Sequence, residues 1–101
     1  MTVDELFDRV AERMLAEDES VELDRIFQST GLKTGGKFFA FPSRGDLVVK
    51  VPRDRVAALV ESGEGRPFES GRRVMKEWVR LSPGDEEACA AYVAEARRFA
   101  G

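Results

Sequence analysis

Two dense apolar runs, Phe38–Phe41 and Leu47–Val51, are separated by only five residues, Pro42-Ser43-Arg44-Gly45-Asp46. Neither run is long enough for a helix, and the second is rich in valine, so both read as strands joined by a tight turn. With Gly31, Gly35 and Gly36 leading in and Pro52 closing it, the stretch Gly31–Pro52 predicts a β-hairpin at the centre of a small sheet.

The turn sets which side chains share a face. Ser43-Arg44-Gly45 fits a three-residue connection, a type I turn followed by a left-handed glycine. That register pairs Phe41 with Leu47 and Phe39 with Val49. It gathers Phe39, Phe41, Leu47, Val49 and Val51 on one face and leaves Phe38, Ala40, Val48 and Lys50 on the other. A two-residue turn at Arg44-Gly45 instead sets Phe39 and Phe41 opposite Lys50 and Val48. A one-residue slip inverts every side chain, so the register with one clearly apolar face is the one expected.

The flanks read as helices with fewer strands. Thr2-Val3-Asp4-Glu5 has the spacing of a capping box. Val3, Leu6, Phe7, Val10 and Met14 then recur at helical spacing, predicting a helix over about 3–17. Val21–Phe27 alternates as a peripheral strand would, and Gln28–Gly36 is polar and glycine-rich, predicting a turn or irregular crossing. Gly35-Gly36 lacks the spacing and following helix of a phosphate-binding loop, and reads as a plain turn. Beyond Pro52, Val56, Leu59 and Val60 mark a helix over Arg53–Ser62, ended by Gly63. Gly63–Arg72 reads as a loop pinned by Phe68, and Val74–Leu81 as the last strand. Ser82 as N-cap and Pro83 at the first helical position open a terminal helix, with Cys89, Tyr92, Val93, Ala96 and Phe99 on its apolar side. The order α-β-β-β-α-β-α predicts a single α+β domain over residues 1–101, an antiparallel sheet with flanking helices.

Several chemistries fall outside this composition. The 101 residues include no histidine and one cysteine, which removes Cys/His zinc sites, Ser-His-Asp triads and intrachain disulfides. Cys89 has three acidic residues just upstream and no basic neighbour, so it reads as a small buried hydrophobe rather than an activated thiolate. The N-terminal MTVDELFDRV has no apolar core of a signal peptide, and no apolar run reaches spanning length, predicting a cytoplasmic protein without membrane contact. Neither a cofactor nor a metal is expected. Glu77, the only mid-strand carboxylate, reads as the partner of an arginine, or otherwise as a catalytic acid with no partner that the sequence identifies.

Charge is segregated within a net of −3: residues 1–30 carry −6, residues 31–55 carry +4 and residues 72–81 carry +3. The basic segments coincide with predicted strands. One sheet face then collects Phe38, Val48, Lys50, Lys76, Trp78 and Arg80, with Phe38, Lys50, Lys76, Trp78 and Arg80 the candidate binding residues. Such a face can anchor a protein partner, including a second copy. It can stack bases and pair phosphates, or its cations can simply shield the rings. The net negative charge weighs against nucleic acid. A small-molecule pocket between helices and sheet near Glu77 is a further alternative.

Three motifs in order, GLKTGGKFFA, RGDLVVKVPRDRV and RVMKEW, resemble the TfoX N-terminal-domain family over about Ile26 to Trp78. The likeness is to its short stand-alone members. It implies a secretion-chaperone-like α+β fold related to the YjbR group, with no known enzymatic activity and no catalytic residues to carry over. Longer relatives regulate bacterial competence as transcriptional co-activators and carry a C-terminal domain; no such domain is expected here, so that role is not carried over. Ile26-Phe27-Gln28 stands where members often show Met-Phe-Gly.

Overall fold

The computed structural model describes residues 1–26 and 29–101. The family departure at Phe27 and Gln28, and the predicted end of the first strand there, lie outside the described residues. Among the described residues the order is α1 (Val3–Glu17), β1 (Val21–Ile26), β2 (Ser29–Thr34), β3 (Lys37–Ser43), β4 (Asp46–Lys50), α2 (Arg53–Glu61), β5 (Gly65–Ser70), β6 (Arg73–Leu81) and α3 (Glu86–Ala100). This is the expected α+β architecture, with two more strands than the sequence predicts.

The strands form one antiparallel sheet in the order β1-β2-β3-β4-β6-β5. Both β4 and β5 are antiparallel to the β6 between them, so they run parallel to each other. A hairpin cannot join parallel strands, and α2 supplies the crossover.

The central hairpin takes the two-residue turn rather than the three-residue one. Ser43 faces Asp46, Phe41 faces Val48 and Ala40 faces Val49. Arg44 and Gly45 have φ of 52° and 82°, the two positive values of a type I′ turn, whose twist matches that of the strands it joins. A second departure lies in β3. Leu32 faces Ala40 while Lys33 faces Phe38, so Phe39 is an extra residue, a β-bulge. It packs on the same side as Ala40, with Leu47, Val49 and Val51. Phe41, expected on that side, belongs to the other face with Val48. The one-apolar-face criterion failed because both faces of this sheet carry apolar side chains.

All three helices cover one face. Leu6, Phe7 and Val10 of α1, Leu59 of α2 and Cys89, Val93 and Ala96 of α3 close on Leu32, Phe39, Leu47, Val79 and Leu81 in one buried cluster. Full burial of a side chain such as Phe39 contributes about 2–3 kcal/mol. The α1 capping box forms as read: the Thr2 hydroxyl accepts from the Glu5 N–H, and Glu5 accepts from the Thr2 N–H at 2.9 Å. The start of α3 differs. Asp85, not Ser82, is its N-cap and accepts from the Ala88 N–H at 2.8 Å, while the Ser82 hydroxyl donates to Asp46.

The two unexpected strands come from segments whose composition reads as loop. In β2, a side chain on Gly31 would lie 2.8 Å from the Ile26 side chain and 3.1 Å from both the Ala40 oxygen and the Phe38 ring, so glycine here permits close packing rather than a turn. In β5, Pro67 is tolerated because the strand is an edge and owes no outward hydrogen bond. Phe68 is buried, as the pin expected of this segment.

The turn makes a direct prediction. Nothing lies within 4 Å of a side chain added at Gly45, so its constraint is purely that of backbone conformation. Arg44→Asn, which suits positive φ, should raise stability in urea unfolding by about 0.5–1 kcal/mol, and Gly45→Ala should lower it by about 1–2 kcal/mol. The reverse order would contradict the type I′ turn.

Candidate interaction face

The opposite face of the sheet has no helical layer; its own side chains close it. Phe41 of β3, Phe68 of β5 and Trp78 of β6 meet with ring centroids 5.7 Å (Phe41–Phe68), 5.4 Å (Phe41–Trp78) and 6.3 Å (Phe68–Trp78) apart. Val48 is buried beneath them, with Ile26 and Met75 alongside. Two strands separate β3 from β5, so a flat sheet would hold their backbones roughly 14 Å apart. The Phe41–Phe68 contact therefore brings the two sides of the face together over its centre.

Cations sit over the rings. Lys50, directly across from Trp78, places Nζ 5.9 Å from that ring's centroid. Arg80 stands 5.5 Å from the Phe68 centroid, and Lys33 lies 5.8 Å from that of Phe38. Each contact is worth about 0.5–1 kcal/mol when exposed and more when desolvated. Lys33 is also held by Asp24 at 2.6 Å, which draws the Asp24 carboxyl below its ordinary value and raises the Lys33 ammonium.

Asp46 anchors the other end. Arg66 and Arg80 face each other on neighbouring strands, a like-charge pair that is unfavourable by itself. Both donate to the Asp46 carboxylate, and Arg80 also donates to the Ser43 carbonyl at 3.0 Å and to its hydroxyl at 3.1 Å. The Asp46 and Arg80 side chains retain only 16% and 18% exposure, so these bonds are partly desolvated. Beside them an open depression of about 930 Å³ is bordered by Phe41, Ser43, Arg44, Phe68 and Ser70.

The structure thus brings Lys50, Trp78 and Arg80 together on one face. Phe38 stands aside from the aromatic trio, next to Lys33 and the close-packed Gly31. Lys76 is exposed and borders a different groove, beside α2. Phe41, Phe68 and Asp46 are the members that the sequence reading missed. The positive-φ preference of a two-residue turn ending in glycine was the available signal for Phe41.

Glu77 does not acquire the expected arginine. Among the described residues its carboxylate enters no ion pair, while its carbonyl accepts from the Val51 N–H at 3.0 Å. Its neighbouring strand β4 ends at Lys50, so no arginine stands across from it in that register. Cys89 is fully buried, and burial together with the nearby Glu86 carboxylate pushes its thiol up to about 11. Among the described residues no group of three or more His, Cys, Asp or Glu side chains is placed to hold a metal ion, and no helix is long and apolar enough to cross a membrane.

Comparison of the chain with protein-family models, curated proteins and solved structures finds no match.

Two measurements follow from this geometry. Asp46→Ala should cost about 2 kcal/mol in urea unfolding, because the largely buried Arg80 guanidinium loses its carboxylate and faces the more exposed Arg66 without it. Removing Arg66 as well should recover part of that loss, whereas a double variant no more stable than Asp46→Ala alone would contradict the shared-carboxylate account. Cys89 in the native protein should stay unreactive toward a thiol-specific disulfide reagent at pH 8 and react fully in urea. Fast native-state labelling would show the thiol to be accessible and ionised.

Proposed function

We propose that this chain is a non-enzymatic, cytoplasmic protein-interaction domain with a regulatory role, and that the helix-free sheet face is its docking surface. The carrying observation is the one-sided architecture: α1, α2 and α3 all pack on one face, while the other presents Trp78, half-buried, among Lys50, Phe41, Phe68 and Arg80. A partly exposed tryptophan beside the largely buried Arg80 is the side-chain chemistry enriched where protein interfaces concentrate their energy. The resemblance of GLKTGGKFFA, RGDLVVKVPRDRV and RVMKEW to short TfoX N-terminal-domain proteins supports the non-enzymatic part of this reading, since it implies no known enzymatic activity. It does not identify the partner.

The aromatic–cation pairs support a second reading, association with nucleic acid, in which Trp78 stacks on a base and Lys50 meets a phosphate. Asp4, which borders the depression beside Phe41 and Arg80, opposes it nearby, and Asp8, Glu12 and Glu17 on the exposed side of α1 oppose it at longer range, as does the net charge of −3.

Site-specific photo-crosslinking in cells separates the two. A benzoylphenylalanine replacing Lys50 should form protein adducts well in excess of one replacing Glu12 on the exposed side of α1. Equal yields from the two positions would contradict docking on the sheet face. Adducts from the Lys50 position that are sensitive to nuclease, with affinity falling steeply as salt rises, would establish the nucleic-acid reading instead.

A further inference from the structure

We propose that a second surface, the groove between α2 and the β5–β6 hairpin, binds an amphipathic helix of a protein partner with acidic residues beside its apolar stripe. The groove is shallow and open, spans about 450 Å³, and is lined by Val56, Ala57 and Val60 of α2 with Pro67, Val74 and Met75 from the hairpin. Val74 is 55% exposed, between exposed Arg73 and half-buried Met75 at the hairpin end of β6. Apolar surface gathered in a concavity, rather than scattered singly, marks a binding site.

Three features choose the occupant. Arg53 and Lys76 border the groove and, among the described residues, form no ion pair, whereas Glu61 is the lone carboxylate along it. The excess positive charge favours an acidic partner. The adjacent edge strand carries Pro67 in its middle, which has no N–H to offer an added strand, so the groove is unsuited to strand addition. From Arg53 to Glu61, α2 runs nine residues, about 13 Å, enough to seat two turns of a partner helix through side chains at i, i+3 or i+4, and i+7. Lys76, which the sequence assigns to the basic–aromatic sheet face, finds its place here.

Titration calorimetry and amide NMR with two synthetic helical peptides of about 15 residues test this. One combines leucine and alanine on one face with glutamate on the other; its counterpart has lysine for every glutamate. The glutamate peptide should bind and shift the amides of Val56–Val60 and Val74–Lys76. Val74→Asp, at a position exposed enough to leave the fold intact by melting temperature, should weaken it at least about tenfold. Lys76→Glu should weaken the glutamate peptide and admit the lysine peptide. No binding, shifts confined to Phe41–Arg44, or indifference of both peptides to Lys76→Glu would overturn the proposal. So would dodecanoate occupying the groove in place of the peptide, or a dimer in sedimentation that Val74→Asp dissociates, since these assign it to a small amphiphile or a second copy.

Discussion

The register of the Arg44-Gly45 turn is the constraint on which both faces of the sheet depend. Two successive positive φ values give the hairpin the twist of its strands and fix Phe41 opposite Val48. With that pairing Phe41 leaves the helix-covered core. The bulge at Phe39 then returns one aromatic ring to it, so that Phe39 and Ala40 both face the helices. Turn and bulge together divide a single apolar run between two cores. Without the first, Phe41 could not meet Phe68 and Trp78; without the second, the helices would lose their largest sheet-side contact.

The smaller core is closed by charge rather than by a third layer. Lys50 over Trp78 and Arg80 over Phe68 cover rings that a helix would otherwise have to bury; Asp46 holds Arg80 directly while also accepting from Arg66 and Ser82, and Ser43 accepts from Arg80 as well. Long cationic side chains can cover apolar surface while keeping their heads in water. Lys50, which among the described residues forms no ion pair, can also move aside for a partner at modest cost, because a cation–ring contact is worth only about 1 kcal/mol at an exposed site. The same layer that permits this sheet to stand without a cover is therefore the one a binding partner would displace. The exposed side of α1 is mostly acidic, with Asp4, Glu5, Asp8, Glu12 and Glu17 against Arg9 and Arg13.

Much of this fold was legible in the sequence because its signals are local. The Thr2…Glu5 spacing and the Leu6, Phe7, Val10 stripe located α1, Pro52 and Gly63 bracketed α2, and the alternation of Val79 and Leu81 placed the end of β6. What escaped depends on neighbours that no local pattern names. Gly31 and Pro67 are turn residues by composition. One sits in a strand because Phe38 and Ile26 leave no room for a side chain, the other because its strand has an unpaired edge. The candidate binding residues divided in the same way. Lys50, Trp78 and Arg80 follow from strand alternation, whereas the placement of Lys76 depends on a register break between Pro67 and Glu69 that only the pairing of β5 with β6 reveals.

The most direct test of the two-faced sheet is the set of nuclear Overhauser contacts made by the Phe41 ring in solution. The account predicts cross-peaks from Phe41 to the rings of Trp78 and Phe68 and none to Val93 of α3. Cross-peaks from Phe41 to Val93 or Leu59, with Trp78 showing none to Phe41, would return Phe41 to the helix side. That result would contradict both the register and the aromatic face built on it.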